Sequence, residues 1–193
     1  MRRRTFDKLM STGGLALTFL LIVAGSLAFA GYSFANNNVH KQLAQQKIFF
    51  PPKGPATASP EIGPFVNKYA GQQLVNGAQA EVYANHFIAV HLKEIAGGKT
   101  YSEVSTLSRA NPTDQALASQ VQTLFRGETL RGLLLQAFAF WKIGQIALLG
   151  AIVAWAIAGV LALLTIMGFW HGRKVAPEEE LMAPKVTAYA VWA

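Results

Sequence analysis

Cysteine is absent from this 193-residue chain. That excludes disulfides, thiolate nucleophiles and every metal site built on cysteine. Charge is scarce too: Asp, Glu, Lys and Arg make up 14% of the residues, against the roughly 25% usual in soluble domains. No G-x-S-x-G elbow, S-x-x-K pair or phosphate-cradling G-x-x-x-x-G-K-[ST] loop occurs. Nor does any block concentrate cations into a nucleic-acid footprint.

What the chain has instead is apolar residues, at 52%. Two stretches run without a charge, Gly13 to Ala35 (GGLALTFLLIVAGSLAFAGYSFA) and Ile143 to Trp170 (IGQIALLGAIVAWAIAGVLALLTIMGFW). Each exceeds the roughly 20 helical residues that cross about 30 Å of hydrocarbon, so both read as transmembrane helices. Arg2, Arg3, Arg4 and Lys8 precede the first run, and Arg173 and Lys174 follow the second. By the positive-inside bias this puts both termini in the cytoplasm of a plasma-membrane protein and the segment between the spans outside. The ten Lys and Arg of that segment do not oppose the topology, because it is longer than the roughly 60 residues over which loop charge governs insertion.

The net charge of +7 divides as +3 over the first ten residues, +4 over the outer segment and zero from His171 onward, where Glu178, Glu179 and Glu180 offset Arg173, Lys174 and Lys185. The N-terminal arginines serve as a topology signal and as contacts for anionic lipid headgroups. A competing reading takes Arg3-Arg4-Thr5-Phe6-Asp7-Lys8 as a twin-arginine export motif and Ala28-Phe29-Ala30 as a cleavage site. Cleavage there would leave the second span as the sole anchor.

The outer segment opens with a Pro-rich linker over residues 36–64. Its PPKGPATASPEIGP stretch, Pro51 to Pro64, holds five of the eight prolines and suggests an extended, mobile connection. The apolar triplet Ile48-Phe49-Phe50 either docks on the folded region or lies in the membrane interface. Beyond it, residues 65–142 carry helical signals. One helix is expected over Phe65 to Leu74, and a second over Ala78 to Ala96, stopped by Gly97-Gly98. A third starts at the capping box Thr100-Tyr101-Ser102-Glu103 and runs to about Arg109. Asn111 as cap with Pro112 in the first helical position then starts a long helix, with bends expected near Gly127 or Gly132, that runs on to Trp170.

His86 and His91 are the candidate metal ligands. Five residues apart on an α-helix, they are rotated by about 140° and separated by about 7.5 Å along the axis, which sets them on nearly opposite sides. His91-Leu92-Lys93-Glu94-Ile95 stops short of H-x-x-E-H, since Ile95 occupies the second histidine's place. His40 and His171 are poorly placed to complete a set. Histidine roles within an ordinary helix are therefore expected, with no catalytic residue, no metal and no cofactor.

Two further constellations concern contacts. Arg126, Glu128, Arg131, Phe138 and Trp141 mix charge with aromatics just before the second span, as an anchoring collar at the membrane interface or as a surface for a partner helix. Within the spans, Gly150, Ala154 and Ala158 recur every fourth residue, as do Ala24 and Ala28. Such small residues let helices approach in lipid, either as a hairpin or between copies of the chain. Neither span contains an ionisable residue, which argues against an ion or proton pathway.

The stretches QLAQQKIFFPPKG, KYAGQQLVNGAQAEVYANHFIAVHLKEIAGGKTYSEVS and QTLFRGETLRGLLLQAFAFWKIG, spread over about Gln42 to Gly150, resemble a family of small actinobacterial two-span membrane proteins of unestablished function. Members are often labelled aromatic ring-opening dioxygenase. That label implies iron, an aromatic acid substrate and a soluble cytoplasmic enzyme, but the sequence shows no iron triad and two spans, and no catalytic residue carries over.

Together these features predict an all-α protein with two transmembrane helices flanking an α-helical extracytoplasmic domain, the last outer helix continuing into the second span, and a short tail over residues 171–193. The expected role is a non-enzymatic accessory, scaffold or sensing component in the bilayer, working through lipid, a membrane-protein partner or self-association. A membrane-held subunit of a ring-cleaving dioxygenase is the alternative.

Overall fold

A computed structural model describes residues 2–176 of the chain. The tail from residue 177, with its three glutamates, lies outside them. Among the described residues every regular element is a helix: α1 (Arg3–Gln46), a 3₁₀ turn (Pro55–Thr57), α2 (Gly63–Val66), a second 3₁₀ turn (Asn67–Tyr69), α3 (Gly77–Val82), a π-helical segment (Tyr83–Ile88), α4 (Ala89–Ile95), α5 (Tyr101–Ala110) and α6 (Gln115–Lys174). Two of these, α1 and α6, are long and apolar enough to cross a membrane. The chain divides into two compact units, one of residues 1–30 with 148–193 and the other of residues 31–147.

In the first unit α1 and α6 run antiparallel along a seam of small residues. Ser11, Thr18 and Gly25 are buried on α1, and Ala151, Ala158, Thr165 and Gly172 on α6, each a step of seven from the last. A seven-residue period is the one that keeps two helices in register through a left-handed supercoil. Opposed pairs are Gly14 with Thr165, Ser11 with Gly168, and Gly25 with Ala151 and Trp155. A hydroxyl in such a seam needs an acceptor, and Thr18 finds one on its own helix, donating to the Gly14 carbonyl at 2.7 Å.

The large apolar side chains point the other way. Leu15, Phe19, Leu20 and Leu27 on α1 and Leu163, Ile166 and Met167 on α6 are all exposed. A water-soluble hairpin would bury such residues and expose its small and polar ones; here the most apolar parts of both helices are largely exposed.

The seam departs from the fourfold spacing noted in the sequence. Ala158 lies in it and Ala28 and Ala154 flank it half-buried, but Ala24 and Gly150 face outward. Small residues on an outer face are simply what alanine-rich helices contain, and only the partner helix selects which of them meet.

In the second unit α1 continues beyond the expected end of the first span, through the first part of the stretch read as linker, as far as Gln46. Lys47 then stops it in a left-handed conformation at φ 51°. The Pro-rich stretch is packed rather than free. Thr57 and Ile62 are buried with Phe50 in the core formed with Val39, Leu43, Val66, Leu74, Leu92, Val104, Leu124 and Leu134. Of the apolar triplet, Phe50 docks fully, Ile48 partly, and Phe49 stays exposed.

The helix expected over Phe65 to Leu74 breaks after Tyr69. Gly71 takes a positive φ of 73°, which turns residues 71–74 back along 48–50. There Phe50 N–H donates to the Gln72 carbonyl at 2.9 Å and Leu74 N–H to the Ile48 carbonyl at 2.8 Å. A non-local ladder of this kind leaves no local helical bond for those residues to make.

Asn76 caps α3, its side chain accepting from Gln79 N–H at 2.9 Å. Gly97 and Gly98 end α4 with positive φ as expected. The Thr100–Glu103 box forms fully, with Thr100 N–H donating to Glu103 Oε2 at 2.7 Å. The next boundary is shifted. Asn111 closes α5, its side-chain amide donating to the Leu107 carbonyl at 3.0 Å, while Asp114 caps α6 by accepting from Ala116 N–H and Leu117 N–H. Pro112 sits in the turn between them. α6 then runs as one helix through Gly127 and Gly132, and Gly127 serves close approach, since a Cβ there would collide with the Leu92 side chain.

Gly25→Leu should force its side chain into the Trp155 indole, whose ring atoms lie 2.7 Å from where a Cβ would stand. Unfolding in mild detergent should then require about 1–3 kcal/mol less. Gly150→Leu, with open space around it, should stay within about 0.5 kcal/mol of wild type.

Hydrogen bonds from the Thr100 backbone and hydroxyl, with a smaller contribution from Lys99, hold the Glu103 carboxyl below its usual pKa. Its capping contribution is therefore complete above the ordinary glutamate range and lost as pH falls through the lowered value. The protection of the Thr100 amide against hydrogen exchange, measured relative to the intrinsic rate at each pH, should fall on that descent, and a Glu103→Gln chain should lack the step.

Candidate functional site

The His86–His91 segment lies across the π-helical turn, a feature often found at functional sites, and no residue type in the sequence announces it. The wider turn changes the rotation between the two histidines, and their partners differ. The His86 ring stacks on Phe65 with centroids 3.6 Å apart and planes 10° from parallel. His91 Nδ1 lies 2.7 Å from the Phe87 carbonyl. A carbonyl can only accept, so Nδ1 is the donor there, which leaves Nε2 as the free nitrogen of the neutral ring. Among the described residues no group of three or more His, Asp or Glu is placed to hold a metal ion.

Around the π turn the aromatics form a chain. Phe50 meets Tyr69 and Tyr83, Tyr83 meets Phe87, and Phe87 meets His91, with centroids 4.5–5.3 Å apart. Such contacts add about 0.5–1.5 kcal/mol each beyond area burial. Burial also pushes the Tyr83 phenol above its usual pKa, which keeps it neutral. The arrangement is that of a packed wall.

The collar residues divide. Arg131 Nη1 pairs with Glu128 at 3.2 Å and its Nη2 reaches Asn85 Oδ1 at 3.4 Å, while Asn85 in turn donates to Glu81 at 3.0 Å. This chain ties α6 to the π turn. Trp141, expected in the collar at the membrane interface, covers Gly77, where a Cβ would sit 2.6 Å from the indole Cγ. Only glycine at the start of α3 lets that ring lie so close. Phe138 is half-buried with its ring 6.2 Å from Trp141, and Arg126 is exposed.

A groove of about 530 Å³ lies elsewhere in this unit, between the end of α1 and the middle of α6. Asn38, Gln42 and Gln46 line the α1 side at every fourth position, one stripe of amides. Leu130, Leu133, Leu134, Phe140 and Ile143 line the α6 side. No charged side chain lines it. Leu133 and Ile143 are 60% and 63% exposed, so the apolar wall is open. The individual residues are legible in the sequence, but their meeting depends on how the two helices pair within the unit, which no local pattern marks.

Gly77→Val should displace the Trp141 indole and lower the stability of this unit by about 1–3 kcal/mol. Leu133→Ala, in the open groove, should cost under about 0.5 kcal/mol. Thermal unfolding followed by tryptophan fluorescence distinguishes the two.

Comparison with protein-family models, with curated proteins and with solved structures finds no match for this chain.

Proposed function

We propose that the chain is a two-span membrane protein, with both termini cytoplasmic and about residues 36–142 outside, that acts as a non-enzymatic accessory, scaffold or sensing component. The outward display of large apolar side chains on both arms of the hairpin carries the membrane assignment. Hydrocarbon is the solvent in which that face costs nothing, and backbone groups within a helix need no water. Orientation rests on Arg2, Arg3, Arg4, Lys8, Arg173 and Lys174.

The groove between α1 and α6 is the contact surface. At about 530 Å³ it falls within the range of small-molecule sites. Its apolar wall suits a hydrocarbon chain, and the amide stripe offers donors and acceptors to an uncharged head. An uncharged lipid-like amphiphile fits this better than a charged metabolite, because no ionic side chain lines the cavity. The π turn and its histidines support the wall of the domain and take no part in chemistry.

Pull-down through a C-terminal tag from gently solubilised membranes tests this reading, with mass spectrometry of co-purifying lipids and proteins. The protein should resist alkaline carbonate extraction and should retain its residues before Gly31. An amphiphile should accompany the wild type and fall at least tenfold with Leu133→Glu, while Arg126→Ala leaves it unchanged. Equal retention by wild type and Leu133→Glu would remove the groove from the reading.

A further inference from the structure

At the charged end of the first unit, cations from opposite ends of the sequence converge. Arg4 and Lys8 of α1 and Arg173 of α6 line one cleft of about 300 Å³ with Thr12, Gly168 and Gly172. The two glycines let the helices approach closely beside it. A Cβ at Gly168 would strike the Ser11 hydroxyl, and one at Gly172 would press on Asp7 at 3.3 Å.

Three cations around one cavity repel each other unless an anion lies among them. Among the described residues no acidic side chain lines this cleft; Asp7, whose Oδ2 is buried without a hydrogen-bond partner, borders Gly172 and lines a neighbouring cavity. Arg4 Nε is buried with no hydrogen-bond partner, a guanidinium N–H still in want of an acceptor. Beside the cleft, Lys174 Nζ lies 3.7 Å from the Trp170 ring centroid, an aromatic–cation pair typical of the interfacial belt.

We propose that this cleft is a discrete binding site for the phosphate of an anionic lipid headgroup. Guanidinium forks match phosphate oxygens in bidentate geometry, Lys8 adds a point charge, and Thr12 supplies a hydroxyl donor. The placement fits: the charge-free runs begin at Gly13 and end at Trp170, so the cleft lies at headgroup depth. The lipid source rests on the membrane reading above; the phosphate chemistry does not. The site differs from a diffuse polybasic patch in that position, not total charge, decides binding.

Native mass spectrometry of the full chain in detergent, titrated with phosphatidylglycerol or phosphatidylcholine, tests this. Wild type should hold one phosphatidylglycerol at least tenfold more tightly than phosphatidylcholine. Arg4→Gln with Arg173→Gln should abolish that preference, and Arg2→Gln with Lys174→Gln, which removes the same charge, should preserve it. Equal losses in both double variants would overturn the discrete site. Inorganic phosphate alone should not raise the melting temperature at concentrations where the lipid does; equal stabilisation by both would overturn the lipid source. Because lipid is supplied in detergent, a protein that fails carbonate extraction would sink the membrane reading and leave this result standing. A refolding check by circular dichroism separates lost binding from a lost hairpin.

Discussion

The closeness of two helices governs the first unit, and small side chains set that closeness. With serine, threonine, glycine and alanine in the seam, van der Waals contact between backbones replaces the hydrophobic effect as the attraction, which is how helices associate where the surrounding medium is as apolar as the side chains. The large residues, barred from the seam by size, must then face outward. The outward apolar faces of both long helices follow from the same pairing, and it brings the cations of the two ends of the described chain together.

The second unit obeys the opposite rule, burying its large residues around Phe50, Leu74, Leu92 and Leu124. It closes without disulfides by enlisting the prolines: Thr57 and Ile62 anchor the proline-rich stretch, and the turn at Gly71 returns the chain along Phe50. The histidines that first suggest a metal belong to this packing. His86 is half of a stacked pair, and the hydrogen bond of His91 to its own helix fixes its tautomer.

Local chemistry was legible in the sequence and non-local chemistry was not. The Thr100–Glu103 box and the glycines after α4 depend on neighbours within a few residues, and they stand where sequence reasoning sets them. Asn111 and Asp114 are both good caps three residues apart, and only the structure assigns one to the end of α5 and the other to the start of α6. The 71–74 turn depends on residues more than twenty positions earlier. The π turn has no compositional mark. The seam residues repeat every seven along each helix, but alanine-rich helices offer many small residues at many spacings, and only the partner helix selects which of them meet. For the groove, the amides and leucines were in view, but not that they would meet.

The absence of cysteine makes one measurement unusually clean. At Gly14 a Cβ would stand 3.8 Å from the Thr165 Cβ, the mean separation across a disulfide. Gly14→Cys with Thr165→Cys, oxidised in isolated membranes, should give a fast intramolecular cross-link that shifts the monomer on a gel. The outward pair Ala24→Cys with Gly150→Cys should not. Cross-linking only between chains, or equal cross-linking by both pairs, would contradict the hairpin seam.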